Sequence, residues 1–354
     1  MPLPPLYGHE GTRNRLVGAI ASSRLPQALL FEGPAGIGKQ RLALWLAQLL
    51  VCTTRADGAD ALHEPCGSCQ PCRLVLGLSH PDVHWFVPLE LSKKGADADR
   101  QVELVEEALA EEMAARRARP LYEPPSGLAI HGIAAVRLLL RRLALKPALG
   151  PRKVFVIGDA ERLVPQTGTD AAANALLKAL EEPPADTVFV LTTATPEALP
   201  PTILSRVVRV RVARLADSIV AAFAQRELGK DAQHDVQQVV TRAAGAPGRL
   251  LAEAERRVDH DAGGRFMSAV AAGRAQRYAL ALSQQPYQAR GGFTAMLDGL
   301  LASLRQQARA GGDTDRLVRA ISQVLDARTL ARGNVNPQLV AAVLAGDLAG
   351  SERP

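Results

Sequence analysis

The sequence predicts an α/β domain built on a parallel sheet, followed by an all-helical remainder. Three observations carry this prediction. A glycine-rich loop, Gly33 to Gln40 (GPAGIGKQ), lies between a short apolar run and a helical segment. Further buried-strand runs, Lys153–Ile157 and Thr187–Thr192, alternate with helical stretches, the pattern of a parallel sheet covered on both faces. Beyond about Ala213 the strand periodicity stops and helical periods continue to the end.

In chain order, the stretch from Leu16 to about Val51 reads as helix, strand (Ala28–Phe31), loop and helix (RLALWLAQLL). The loop follows the phosphate-binding template G-x-x-x-x-G-K-[ST] at Gly33, Gly38 and Lys39. Its backbone N–H groups and the following helix N-terminus suit phosphate oxygens, and Lys39 would reach the β- and γ-phosphates. The last template position should supply a hydroxyl to Mg²⁺, and here it is Gln40, a poor ligand with a longer side chain. The loop keeps the means to cradle phosphate and lacks the means to hydrolyse it, which leaves ATP binding open.

All four cysteines fall in one window, Cys52, Cys66, Cys69 and Cys72, spaced C-x13-C-x2-C-x2-C. Four thiolates so placed can close a tetrahedral shell around a structural Zn²⁺ with no open position. His63 is a possible substitute ligand. The segment from His80 to Phe86 leads out of this knuckle into a strand. Residues from about 91 to 127 form an insertion: a lysine- and glycine-rich turn, a charged stretch read as a solvated surface helix, and the exit YEPPSG. Glu112 and Arg116 are spaced as a favourable helical pair.

An arginine-bearing amphipathic helix is expected over Ile133–Leu145, then the strand ending at Ile157. A nucleotide motor places an Asp for Mg²⁺ and a Glu for the attacking water after such a strand. Here Gly158 and Asp159 stand in those positions, and a shift by one residue puts Ala160 in place of the Glu. Either register lacks half of the hydrolytic pair. A helix from Ala171 to Glu182 is stopped by Pro183-Pro184; then come the second buried strand, a proline-punctuated segment and an alternating strand, Val207–Val212. The helical remainder is expected to break at Gly245–Gly248, Gly263-Gly264, Gly291-Gly292 and Gly311-Gly312.

The run NALLKALEEPP (Asn174–Pro184), the Thr-Ile-Leu-Ser-Arg segment (Thr202–Arg206) and the cysteines after the loop helix resemble bacterial DNA polymerase III clamp-loader subunits of the AAA+ family, the delta-prime type above all. The resemblance covers roughly residues 5–260 and, beyond that, rests on the helical last third and Asn334–Pro337. It implies an AAA+ P-loop domain (1–212, with a zinc module at about 52–80), a small helical lid (213–260) and a C-terminal helical collar domain (261–354). It implies partners: ATPase motor subunits and a delta subunit in a hetero-pentameric ring, and through them the sliding clamp and primed DNA. In the family an arginine in a Ser-Arg-Cys motif is offered to ATP on the adjacent subunit. Ser205 and Arg206 match, and Val207 replaces the cysteine. Thr192 or Thr193 matches a γ-phosphate sensor, and Arg249 resembles the lid's arginine sensor. The gap from Cys52 to Cys66 is longer than the family's usual one.

The chain is thus expected to support loading of the clamp without polymerase or ATPase activity of its own. Two alternatives stand beside this: an active ATPase motor subunit of the same loader, and a zinc-dependent DNA-binding protein with a vestigial loop. An intact [ST] after Lys39 and an Asp-Glu pair after Ile157 would favour the first; a basic or aromatic stripe around the cysteines, where only Arg55 and Arg73 lie, the second. The net charge of +6, from 42 basic and 36 acidic residues, permits contact with nucleic acid without requiring it. No run of about 18 apolar residues suggests a membrane span, and the N-terminus lacks a signal-peptide layout, so a cytoplasmic protein is expected.

Overall fold

The computed structural model describes residues 3–54, 64–89, 97–118, 121, 129–164, 171–228, 236–284, 292–309, 314–332 and 335–350. His63, Arg55, the turn at 92–96, the exit at 122–127, Gly291, Gly311-Gly312 and Asn334 lie outside the described residues. The chain divides into two compact units, with the boundary between Leu251 and Ala252.

The first unit holds the helices α1 (Glu10–Ala21), α2 (Lys39–Val51), α3 (Gln70–Leu76), α4 (Ala98–Ala118), α5 (Ile133–Leu143), α6 (Ala171–Glu181), α7 (Pro201–Leu204), α8 (Asp217–Glu227) and α9 (Val236–Ala243). Its strands are β1 (Ala28–Glu32), β2 (Val83–Phe86), β3 (Lys153–Ile157), β4 (Thr187–Thr193) and β5 (Val208–Arg211). They form one parallel sheet in the order β2-β3-β4-β1-β5. The inner strands β3, β4 and β1 are buried along their whole length, which explains their unbroken apolar runs. Phe155 stacks on Phe189 with ring centroids 5.3 Å apart, a contact worth about 1 kcal/mol beyond the area it buries. Edge strand β5 is mostly exposed, and Arg209 and Arg211 guard it against pairing with another chain.

The register sets the site. Glu32 pairs with Thr193 and Ile157 with Leu191, so the turns after β1 and β3 and the end of β4 meet at one edge of the sheet. In open α/β sheets this carboxyl edge is where ligands bind.

Helix α4 departs from the expected solvated helix. Val102, Val105 and Leu109 enter the main core along one face, so the charged residues cover only the other. The expected Glu112–Arg116 pair forms at 2.7 Å, and the Arg116 guanidinium lies over the Trp85 ring at 4.2 Å.

Helix α10 (Gly248–Ala272) starts after the break at Gly245–Pro247. Leu215, Val220, Val240, Ala243 and Leu250 give α8, α9 and the start of α10 a small core of their own. The second unit comprises the rest of α10 with α11 (Arg274–Ser283), α12 (Gly292–Arg309), α13 (Thr314–Arg332) and α14 (Pro337–Gly350), around Phe266, Leu297, Leu300, Val324 and Leu344. Asn336 caps α14, its Oδ1 accepting the Gln338 N–H at 3.0 Å, with Pro337 at the first helical position. The expected break at Gly263-Gly264 is absent, because both glycines lie inside α10. A Cβ on Gly263 would stand 3.0 Å from the Leu300 backbone nitrogen. That glycine lets two helices approach closely and does not end one.

Candidate functional site

The phosphate loop leaves β1 at Gly33 and enters α2 at Lys39, as its template requires. Its central residue is covered by the chain's own backbone. The Gly248 N–H donates to the Gly36 carbonyl at 2.8 Å, and a Cβ on Gly248 would stand 2.7 Å from Gly36 Cα. Only paired glycines permit that approach. His9 Nε2 donates to the Ile37 carbonyl at 2.7 Å, and burial holds this imidazole below its usual pKa.

Lys39 is 7% exposed and turns back on the loop. Its Nζ donates to the carbonyls of Gly33 and Pro34, both at 2.8 Å. Burial lowers its pKa to about 8, against an opposing pull from Asp159 and Glu161. Two of the three ammonium N–H groups are thus taken by the loop's own backbone, which leaves one for a phosphate.

The two departures from the hydrolytic template form one packed unit. Gln40 is buried; its Oε1 accepts the Trp85 indole N–H at 3.0 Å and its Nε2 donates to Asp159 Oδ2 at 3.1 Å. Its carboxamide lies flat against Gly158, where a Cβ would stand 2.5 Å from Gln40 Oε1. The glycine that removes a metal ligand also makes room for the glutamine. A neutral hydrogen-bonded amide therefore fills the space in which a motor holds Mg²⁺.

The surrounding strand ends hold this arrangement. His131 Nε2 donates to the Gly158 carbonyl at 2.6 Å, and burial lowers the His131 pKa to about 4. The Asp159 N–H donates to Thr192 Oγ1 at 3.2 Å, and Thr193 Oγ1 accepts the Thr195 N–H at 3.1 Å. Both sensor candidates are fully buried and serve the turns beside them. Glu161, whose pKa burial raises, accepts the Ala194 N–H at 3.4 Å. Arg249 is exposed at the start of α10.

Ser205 and Arg206 stand apart from the loop, on the turn that links α7 to β5. Buried Ile203 and Val207 anchor the chain on either side. Arg206 Nη1 donates to the Thr202 carbonyl at 3.0 Å and to Ser205 Oγ at 3.3 Å. Nε and Nη2 both donate to Glu181 Oε2, at 3.3 and 3.2 Å. The Arg206 side chain remains 28% exposed, so the guanidinium is held at the surface by Thr202, Ser205 and Glu181.

The four cysteines converge from the end of α2 (Cys52), the segment leading into α3 (Cys66 and Cys69) and α3 itself (Cys72), with all sulfurs within 4.8 Å of one another. The Cys66–Cys72 and Cys52–Cys69 sulfur separations are both 3.9 Å. Four Zn–S bonds of about 2.3 Å put tetrahedral sulfurs about 3.8 Å apart, so the cluster fits the ion. Hydrogen bonds from Thr54 and the Cys69 N–H lower the Cys66 pKa to about 5, whereas burial pushes Cys72 up. Glu64, beside the knuckle, accepts the Trp45 indole N–H at 2.7 Å and pairs with Arg13, tying the module to α2 and α1.

Sequence reasoning missed Trp85, His131 and Glu181. The first two act through partners distant in sequence, which no local spacing announces. Glu181 lay inside the quoted run NALLKALEEPP, but its link to Arg206 needs the fold.

A sequence profile described as "DNA polymerase III, delta subunit" matches residues 8–216, more than half of the chain. DNA polymerase III subunit delta' of Escherichia coli is 31% identical over 238 residues, 67% of this chain and 57% of that protein. The subunit delta' of Bacillus subtilis is 35% identical over 191 residues, 54% of this chain and 43% of that one. The chain thus spans about half the length of the curated relatives it matches. The crystal structure of a DNA polymerase III gamma subunit-related protein from Thermotoga maritima has a TM-score of 0.50 at 15% identity, covering 97% of this chain and 99% of that one, a likeness of fold alone. The profile match takes in the sheet, the altered loop, the cysteine cluster and the Ser-Arg turn together, and by it this chain belongs to the DNA polymerase III delta-subunit family, with delta-prime subunits among its relatives.

Proposed function

We propose that this chain is a non-motor subunit of the replicative clamp loader, lending Arg206 to ATP bound by a neighbouring subunit while its own loop stays inert. The observation that carries this reading is an asymmetry between two sites. Gln40 and Gly158 fill the metal position with an uncharged amide, whereas Arg206, 28% exposed, is held on a surface turn by hydrogen bonds.

The chemistry follows from the charges. Phosphoryl transfer spreads negative charge over the γ-phosphate oxygens, and an arginine from outside the binding subunit neutralises it. Thr202 and Ser205 hold the guanidinium through Nη1, and the Nε–Nη2 edge, paired with Glu181 in this chain, is the one a partner's phosphate would take. On this reading residues 1–212 form the AAA+ domain, 213–260 the lid and 261–354 the collar that joins a hetero-pentameric ring. The partners are the ATPase motor subunits and delta, and through them the sliding clamp and primed DNA. Cys52, Cys66, Cys69 and Cys72 would hold Zn²⁺, which when bound supplies a structural cross-link and no chemistry.

The rival reading as a motor requires a hydroxyl at position 40 and an acidic residue at 158, and neither is present. The test is the assembled loader carrying Arg206→Ala or Arg206→Lys. The alanine variant should assemble and lose part of the DNA-stimulated ATP hydrolysis. Lysine should rescue poorly, because it keeps the charge without the planar fork. Unchanged hydrolysis with Arg206→Ala would make Arg206 a surface residue of the fold.

A further inference from the structure

We propose that Glu181 is a positioning residue that parks Arg206, occupying the guanidinium edge that a neighbour's phosphate must take. This rests on the reading of Arg206 as a group lent to another subunit.

A guanidinium has five N–H donors in a fixed fork. Nη1 spends its two on Thr202 O and Ser205 Oγ. Nε and one Nη2 hydrogen go to Glu181 Oε2. Among the described residues that leaves one Nη2 hydrogen without a protein acceptor. Phosphates and carboxylates bind arginine best through two parallel N–H groups, and the Nε–Nη2 edge supplies such a pair. In this structure that edge is already taken. The γ-phosphate and Glu181 therefore compete for the same two hydrogens.

The competitor is placed to yield. Glu181 is 58% exposed at the end of α6, where Pro183-Pro184 stop the helix. An exposed ion pair of this kind contributes little to stability, so a phosphate of higher charge can displace it. The Thr202 and Ser205 bonds lie on the opposite edge and survive the exchange. Arg206 thus swings on a fixed Nη1 anchor between an internal carboxylate and an external phosphate. A finger restrained in this way does not engage stray anions and does not promote hydrolysis before the neighbour's nucleotide is seated.

Glu181→Gln keeps the side-chain shape and removes the charge, and two measurements read it. In the assembled loader without DNA or clamp, basal ATP hydrolysis should rise about twofold, since one site of several is released. The double variant Glu181→Gln/Arg206→Ala should match Arg206→Ala alone. A basal rate equal to or below that of the unmodified loader overturns the proposal. So does a rise of the same size in the Arg206→Ala background. In the isolated chain, the Arg206 Nε–H resonance should shift, and its exchange with water should quicken, with Glu181→Gln. An unmoved resonance overturns the parking contact even if Arg206→Ala leaves the loader's activity intact, an outcome that would instead remove the lent-arginine reading.

Discussion

Gln40 and Gly158 each look like damage to a motor, but together they make a complementary pair. Gly158→Ala would put a methyl 2.5 Å from Gln40 Oε1 and push the amide off Trp85 and Asp159. The expected cost is about 1–3 kcal/mol, the range for overpacking a filled core. In a Gln40→Ser background the same alanine should cost well under half as much, read from urea midpoints in a double-mutant cycle. Equal costs in both backgrounds would mean that the pair is not coupled. Two desolvated histidines, buried His131 and half-buried His84, make a second prediction at this scale. Burial pulls His131 and His84 from 6.5 to about 4, so the folded chain keeps them neutral where the unfolded chain takes up protons. Their stabilisation is complete above the unfolded pKa and falls as pH drops from 6.5 toward 4, by about 1.4 kcal/mol per pH unit for each. The urea midpoint should therefore drop between pH 7 and pH 5, and His131→Asn should flatten that slope. A slope that His131→Asn leaves unchanged would assign the effect elsewhere.

Among the elements, the knuckle and the strands were the most legible in the sequence. Cysteine spacing is a local signal, and the fold brings the four sulfurs within 4.8 Å of one another, two of the pairs at 3.9 Å. Freshly purified, reduced protein should carry one Zn²⁺ per chain, and Cys69→Ser should release it while most of the sheet's circular dichroism remains. The sheet core does not include the cysteines, so the ion is not needed to close it. Protein without zinc by elemental analysis would contradict this. The buried strands were equally plain, because inner strands of a parallel sheet need apolar residues on both faces. Helix α4 was misjudged because its charges hide three core residues at helical spacing, Val102, Val105 and Leu109. Gly263-Gly264 was misjudged because a glycine at a close helix approach carries the same letter as one at a break.

For the whole molecule, the motifs named the family but not the state of the site. The sequence revealed that Gln40 cannot replace a metal-binding hydroxyl; only the fold reveals that its amide is hydrogen-bonded in place and that Gly248 closes on Gly36. The central claim is that the chain exports an arginine and keeps no working nucleotide site. The most direct measurement compares DNA-stimulated ATP hydrolysis by two assembled loaders, one with Arg206→Ala in this chain and one with Lys39→Met. Trans arginines are worth roughly 10³ to 10⁵ in rate at a single site in the best cases, and the total falls by less because other sites continue. Arg206→Ala should give a clear fall and Lys39→Met the unmodified rate. A fall with Lys39→Met alongside an unchanged rate with Arg206→Ala would show that the chain works through its own loop, and would contradict the claim.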